Sequence, residues 1–204
     1  MTMNPKQAQV SALANIEQNV VLGDGSKIWD HSHIRKNAVL GKNCVVGENV
    51  YIGPGVLIGE NSKIQNGVLI YEPAQLGKGV FLGPRVTLTN DKYPRAVTPE
   101  GVLKINDDWQ SVGVVVGDGA SVGAGAICIA PLNIGSWSMI AAGSVVVHDV
   151  PAYALVAGNP AKQIAWIGRD GKKLEHTGSN NYYSATTDYT YIEISGVLIE
   201  RHSK

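Results

Sequence analysis

The stretch Val46-Gly47-Glu48-Asn49-Val50-Tyr51-Ile52-Gly53-Pro54-Gly55-Val56-Leu57-Ile58-Gly59-Glu60-Asn61-Ser62-Lys63-Ile64 decides the fold, because an aliphatic residue returns at every sixth position. Extended outwards, the series is Leu22, Ile28, Ile34, Leu40, Val46, Ile52, Ile58, Ile64, Ile70, Leu76, Leu82 and Leu88, with Val10 and Ile16 in the same phase. Four places after these aliphatics stands a small or β-branched residue, as in Ser26, Ser32, Ala38, Cys44, Val50, Val56 and Ser62. A period of six is neither the 3.6 of a helix nor a plain alternation. Something must turn the chain every few residues, and the intervening Gly, Asn and Pro do so at low steric cost. The unit is then a short strand with one inward aliphatic, a tight corner lined by a small residue, and another strand. Hexapeptide periods of this kind signal a parallel β-helix.

The rhythm stops at Leu88 and resumes at Val116, continuing through Val122, Cys128, Ile134, Ile140 and Val146. The gap of 28 residues is not a multiple of six, so an excursion of about residues 89–113 is inserted. Structureless loops longer than about 12–15 residues are uncommon in compact domains and are usually functional. Residues 1–15 read as a lead-in that caps the open end of the column. Past Val146 the column ends near residue 162, giving a first domain of 1–162 and an extension of 163–204. Within the extension, Ile164 to Leu174 reads as a hairpin around Asp170-Gly171, His176 to Ser184 as a polar linker or exposed loop, and Tyr189 to Glu200 as β-structure turning at Ser195-Gly196.

Composition narrows the function. The chain has 17 basic and 17 acidic residues among 204, so a general nucleic-acid or membrane surface is disfavoured. One Phe and 24 Gly suit a narrow aliphatic prism. Cys44 and Cys128 fall at inward positions and read as buried reduced thiols, with no metal-binding spacing. Met1 to Gln9 has no apolar core of a signal peptide and no run reaches the roughly 18 residues of a membrane span, so a cytoplasmic protein is expected.

Several blocks depart from the plain repeat: Ile28-Trp29-Asp30-His31-Ser32-His33-Ile34, Lys63-Ile64-Gln65-Asn66, Ile70-Tyr71-Glu72, Thr89-Asn90-Asp91-Lys92-Tyr93-Pro94-Arg95, and Val156-Ala157-Gly158-Asn159-Pro160-Ala161-Lys162. With the repeat [LIV]-G-x-x-[SAV]-x, the last block resembles the segment that closes the prism of hexapeptide-repeat acetyltransferases. The first four resemble the N-acetyltransferases of nucleotide-linked 3-amino sugars, the WbpD and WlbB type. The resemblance covers roughly residues 15–165. It implies an all-β, left-handed parallel β-helix with a long inserted loop and a short C-terminal β extension. It further implies a homotrimer with sites between subunits, and acetyl transfer from acetyl-CoA to the amine, at C3, of a UDP- or dTDP-linked amino sugar for surface-polysaccharide synthesis.

By that resemblance Asn90 sits beside the sugar amine, and an Asx turn before Asp91 is the alternative reading of the same residue. His33 and His31 can each carry a proton near neutral pH, or serve as corner residues with a structural hydrogen bond. Glu72 and Asp91 are candidates to bind sugar hydroxyls or to orient the amine. Arg35, Arg85 and Arg95 offer planar forks for a diphosphate or carboxylate. Gln65, Asn66, Tyr71 and Tyr93 complete the expected acceptor site, with Tyr71 and Asn90 one coil apart at one edge. For coenzyme A the resemblance implies Lys162 near the phosphates, with Asn159 and Pro160 beside it, and a pantetheine slot around Ala124, Ala142 and Gly143. No metal is required. An O-acetyltransferase of the serine or xenobiotic type, a metal-dependent γ-carbonic anhydrase needing three converging histidines, and a purely structural solenoid remain the alternatives.

Overall fold

The structure, a computed structural model, describes residues 7–201. Two-residue strands, beginning with Gln9–Val10, Asn15–Ile16 and Val21–Leu22, follow one another every six residues and pair in parallel with the strand 18 residues on. They line up as three faces of a left-handed β-helix. The first face holds Lys27–Ile28, Val45–Val46 and Lys63–Ile64; the second His33–Ile34, Tyr51–Ile52 and Leu69–Ile70; the third Val39–Leu40, Leu57–Ile58 and Gln75–Leu76. The left hand opposes the usual right-handed crossover. Residues expected as a lead-in already build rungs from Gln9, because the hexad phase persists back to Val10; the expectation for residues 1–6 lies outside the described residues.

Two sets of contacts hold the column. Each rung donates to the next, as in Lys27 N to Cys44 O at 2.8 Å and Tyr51 N to Val68 O at 2.9 Å. Inside, Ile34, Ile52, Ile64, Ile70, Leu82 and Leu88 are wholly buried. The small positions are occupied for a reason beyond space. Ser32 Oγ donates to Gly47 O at 2.6 Å and accepts from Val50 N at 3.2 Å, and Ser62 Oγ likewise serves Gly59 O and Val80 N. A buried hydroxyl thus satisfies the corner amide of the next coil, which otherwise would be an orphan. The corners take a left-handed residue three places after the inward aliphatic: Asn19, Asn37, Asn43, Asn49, Gly55 and Gly67 among them. The sequence supplies the residue types that occupy that region with least strain.

The excursion leaves after Thr87–Leu88 on the second face and returns at Val114–Val116 on the third, replacing one corner. Corners with cis prolines lie below and above it, at Glu72-Pro73 and Ala130-Pro131. The arm is folded on itself by a bridge between Val97 and Leu103 and a 3-10 turn at Asn106–Asp108.

At the far end Ala154–Gly158 continues the first face, and Ala161–Trp166 folds back on it antiparallel. The expected turn at Asp170-Gly171 is present, with Gly168 N donating to Lys172 O at 2.9 Å, but its main upstream strand pairs with the prism. Tyr189–Ile194 and Val197–Arg201 form the expected hairpin. The polar segment read as a linker is instead two strands, Glu175–Gly178 and Asn181–Ser184, which complete a four-stranded antiparallel sheet. Tyr182 and Tyr191 are cross-strand partners on the inward side, and that packing outweighs the segment's polar composition. The sheet docks through two carboxylates. Glu193 accepts from Trp166 Nε1 and Tyr182 Oη at 3.0 Å each, and Glu200 from Tyr153 Oη at 3.0 Å and Arg169 Nε at 2.7 Å. Among the described residues no helix is long and apolar enough to cross a membrane.

Two measurements check this arrangement. Burial pushes the Cys128 thiol up to about 12 and raises Cys44 as well. Neither thiol is expected to react with a disulfide reagent at pH 8 until denaturant is added. Burial, with the charge of Glu200 adding to it, raises the Tyr191 hydroxyl to about 12. Its neutral form is favoured in the fold, so its contribution is complete below the unfolded value near 10. That contribution fades as pH rises towards 12. Tyrosinate absorbance and the release of the C-terminal sheet should therefore appear together in that window, and Tyr191→Phe should weaken the coupling.

Candidate active site

Stacking in register turns sequence offsets of 18 into vertical columns, so each corner of the triangle is a continuous edge. Two of these edges collect the residues singled out above. The edge between the first and second faces carries His31, Gln65 and Asn66 on its lower coils, and Ala124, Ala142 and Gly143 higher up. The Asn159-Pro160 tip, with a cis peptide, stands over this edge, since Gly158 N donates to Ser144 Oγ at 3.2 Å. Lys162 is exposed on the returning strand. The edge between the second and third faces carries Arg35, Tyr71, Glu72 and the root of the arm with Asn90 and Asp91; Tyr93 and Arg95 lie further out along it.

The upper part of the first edge is bare for a steric reason. A Cβ on Gly123 would lie 2.4 Å from Ala142 N, and one on Gly83 would lie 2.7 Å from Ala124 N. Only small residues allow the coils to approach this closely. The resulting strip of backbone is narrow and free of large side chains, and the exposed Lys162 amine stands beyond it. Gln65 and Asn66 sit two coils below Ala124's level of small residues. Asn66 Oδ1 accepts from Glu48 N at 3.1 Å, so its carbonyl stitches coils and its NH2 faces outwards. His31 is a left-handed corner residue with φ of 58°.

On the second edge the arm is pinned at both ends. Val112 N donates to Asn90 O at 3.0 Å, and Ala130 N to Thr89 Oγ1 at 3.0 Å. Gly113 returns against Pro73, where a Cβ would be 2.8 Å from Pro73 O. The Asn90 main chain is thereby fixed while its side chain stays at the rim of a cleft of about 360 Å³ formed with Asp91, Arg95, Lys104 and Trp109. The Asx turn falls on Asp91 rather than Asn90, because Asp91 Oδ1 accepts from Tyr93 N at 2.8 Å. Arg95 Nη1 donates to the adjacent Pro94 O at 2.9 Å. Glu72 Oε2 is buried without a hydrogen-bond partner and lies over Gly53, where a Cβ would come within 2.4 Å of it.

His33 belongs to another station. It is three rungs below Thr87, or about 14 Å, and its Nε2 meets Glu17 Oε1 at 2.9 Å. Arg35 Nε is 2.6 Å from the same oxygen but off the line of a hydrogen bond, and Arg35 Nη1 donates to Tyr51 Oη at 3.0 Å. Tyr51 stacks edge-on to His33 at 6.0 Å and lies 5.3 Å from Tyr71. This column therefore reaches towards Asn90 through rings rather than placing an imidazole beside it. Glu17, Tyr51, Lys104 and Trp109 were not among the residues read from the sequence. Counting 18 residues back from Arg35 finds Glu17, and forward from His33 finds Tyr51; nothing comparable marks Lys104 or Trp109. His148 lies five rungs above His33, about 24 Å away, and among the described residues no cluster of three or more His, Cys, Asp or Glu is arranged to hold a metal.

The Lys36 backbone N–H is the largest cause holding the Glu17 carboxyl below its ordinary range; partial desolvation opposes it, and His33 and Arg35 add to it. A carboxyl lowered in the fold stabilises above its unfolded value near 4.3 and loses that effect as pH falls through the folded one. Glu17→Gln should therefore lower the melting temperature at pH 7, with the difference from the unaltered protein closing below about pH 4.

Comparisons with known proteins fall in line with this architecture. The family model "Hexapeptide repeat of succinyl-transferase" matches residues 33–72, and "Bacterial transferase hexapeptide (six repeats)" matches residues 55–90. The bifunctional protein GlmU of Nitratidesulfovibrio vulgaris (strain DSM 19637 / Miyazaki F) is 32% identical over 140 residues, 66% of this chain and 30% of that protein. The dTDP-3-amino-3,6-dideoxy-alpha-D-galactopyranose 3-N-acetyltransferase of Aneurinibacillus thermoaerophilus is 35% identical over 79 residues, 39% of this chain and 41% of that protein. The chain thus spans well under half the length of either relative. Among solved structures, a point mutant of AntD, an N-acyltransferase from Bacillus cereus in complex with dTDP and coenzyme A, superposes with a TM-score of 0.52 at 18% identity, over 81% of this chain and 84% of that one; it shares the fold. The repeat in the sequence, the three-faced column it builds and the two family models agree: residues 33–90 carry the hexapeptide repeat of bacterial transferases.

Proposed function

We propose that the protein transfers an acetyl group from acetyl-CoA to the amine, at C3, of a UDP- or dTDP-linked amino sugar, as a cytoplasmic homotrimer serving surface-polysaccharide synthesis. The observation that carries this reading is the pairing of two incomplete edges. One offers a bare strip for a thioester arm beneath the Asn159-Pro160 tip, and the other offers Asn90 at the root of an arm. The named 3-N-acetyltransferase relative supports the amino-sugar acceptor. The arm supports the trimer, since Tyr93, Val102, Leu103 and Ile105 are each more than 60% exposed and call for a covering surface. A neighbour's first edge is the surface we assign to it.

In this reading Asn90 accepts a hydrogen bond from the sugar amine through its side-chain carbonyl and points the nitrogen lone pair at the thioester carbonyl carbon. Attack forms the C–N bond. The carbonyl is restored as the C–S bond breaks, and the nitrogen's surplus proton leaves with the thiolate or through water. An amine flanked by carbons that bear electron-withdrawing oxygens is less basic than a lysine amine, so orientation can replace a strong base. Holding two reactants in attack geometry supplies up to about 7–11 kcal/mol. Glu72, Asp91, Tyr93 and Arg95 would hold sugar and phosphate groups around that amine, with His31, His33, Arg35, Gln65, Asn66 and Tyr71 towards the nucleotide side.

Thiol release from acetyl-CoA, followed with a panel of UDP- and dTDP-amino sugars, is expected with a 3-amino sugar and not with serine or chloramphenicol. Asn90→Ala should lower turnover roughly 100-fold with the melting temperature unchanged. Thiol release with no amino sugar in the panel overturns the assignment, and unaltered kinetics remove Asn90 from the site.

A further inference from the structure

The lower half of the first edge holds a cleft that acetyl transfer itself does not use. It encloses about 270 Å³ among Trp29, Gly47, Glu48, Gln65 and Asn66. Trp29 is 51% exposed, an unusual state for the largest apolar side chain on a corner. The rung above it carries no side chain at this position, and none fits: a Cβ on Gly47 would lie 2.3 Å from Asn66 Oδ1 and 2.8 Å from Asn66 N. Trp29 and Gln65 are thus separated by two rungs, about 9.6 Å, with no side chain at position 47 between them. A planar ring resting about 3.5–4 Å from the indole leaves its edge within reach of the Gln65 amide. Asn66 adds an outward NH2, because its Oδ1 is already committed to Glu48 N. The exposed Glu48 carboxylate is an acceptor open to a ring N–H.

One rung further up stands Arg85. Its φ is 59°, although arginine gains nothing from the left-handed region and most other corners use Gly or Asn there. Its N donates to Asn66 O at 3.0 Å, and its Cγ lies above Gly67, 3.4 Å from where a Cβ would be. A non-glycine residue kept in this conformation points to a use for its side chain. Aromatic platform, amides and guanidinium therefore follow one another along a single edge over three rungs, about 14 Å. That order, ring binder first and anion binder last, is the order of groups in a nucleoside diphosphate.

We propose that this edge seats the nucleoside diphosphate of the acceptor, with the base on Trp29, its edge read by Gln65 and Asn66, and the diphosphate towards Arg85. The inference rests on the nucleotide-sugar reading above and extends it to residues outside that reading's acyl-transfer step. Calorimetric titration of the full chain with UDP, dTDP and GDP, against inorganic pyrophosphate and ribose 5-phosphate as ligands without a base, tests it. At least one nucleotide should bind more than tenfold tighter than pyrophosphate. Trp29→Leu should weaken that nucleotide roughly tenfold to a hundredfold and leave pyrophosphate unchanged, while Trp29→Phe, which keeps a ring, retains most of the affinity. Arg85→Gln should weaken nucleotide and pyrophosphate together. Equal binding of pyrophosphate and nucleotides, or an unaltered nucleotide affinity in a folded Trp29→Leu protein, overturns the proposal. Trp29-dependent nucleotide binding without acetyl transfer to any amino sugar would sink the transferase reading alone. Acetyl transfer with a KM indifferent to Trp29→Leu would sink the base seat alone.

Discussion

The rest of the structure depends on the main-chain ladder that ties each residue to the one 18 places further along. Its donors and acceptors are fixed in the backbone, so the coil cannot lengthen or shorten by one residue without turning an inward aliphatic outwards. Ile34, Ile52, Ile70 and Leu88 lie above one another for this reason, and Cys128 continues the stack across the excursion. The arm can be long only because its two ends are returned to ladder positions. Val112 N on Asn90 O closes its mouth, and Gly113 passes over Pro73 where any side chain would collide. An insertion that leaves the register intact costs the column little, since loop-closure entropy grows slowly with length. The fold therefore tolerates elaboration at corners and not within rungs.

The same constraint explains what was legible in the sequence. The hexad is legible because one side chain in six must be aliphatic and the corner must accept a left-handed residue; both demands are written at single positions such as Ile52 and Gly55. The arm is legible as a break in phase. The C-terminal sheet was only half legible: Ser195-Gly196 announces a hairpin by its turn, whereas Glu175–Gly178 has four exposed residues and carries no alternation of its own. Its strand character comes from Asn181–Ser184 beside it, and pairing of that kind is not encoded locally. The site was partly legible for a related reason. Asn90 and Tyr71 fall at one edge by arithmetic of 18, but nothing in the spacing says that Gln65 and Asn66 lie at a different edge until the coil is cut into three faces. The contact of His33 with Glu17 was open to the same arithmetic, since both belong to adjacent coils of one face and its corner.

The C-terminal sheet solves a problem that the ladder creates. A column of rungs ends in unpaired donors and acceptors, and its last corners carry bulky residues in left-handed conformations, Trp137 and Tyr153. These are the residues the appended sheet uses. Tyr153 packs edge-on to Tyr191 at 5.4 Å and donates to Glu200, while the Arg169 guanidinium lies 4.9 Å from the Trp137 ring centroid and contacts Glu200 as well. Carboxylates placed so that each accepts from two neutral or cationic donors give the dock a direction that apolar packing alone lacks. The terminal turn at Asn159-Pro160 stays outside this cover, and the first edge below it remains open along its length.

An open edge and a protruding arm make unequal demands. The edge is concave only in the sense that its corners are small, and a ligand lying along it would have protein on one side and water on the other. Electrostatic and hydrogen-bonding groups act weakly in that setting, because water competes for every donor. The arm has the opposite defect, with apolar side chains such as Leu103 exposed and two clefts of about 360 and 350 Å³ on its flanks. In the proposed trimer, placing the arm of one copy over the edge of another would remove both defects at once: a ligand would gain a second wall, and the apolar side chains would lose water. A threefold arrangement does this three times with one kind of contact and leaves no arm uncovered. Chemistry that relies on orientation rather than on a strong base needs such a closed site most, since orientation is lost wherever water can take the place of a wall.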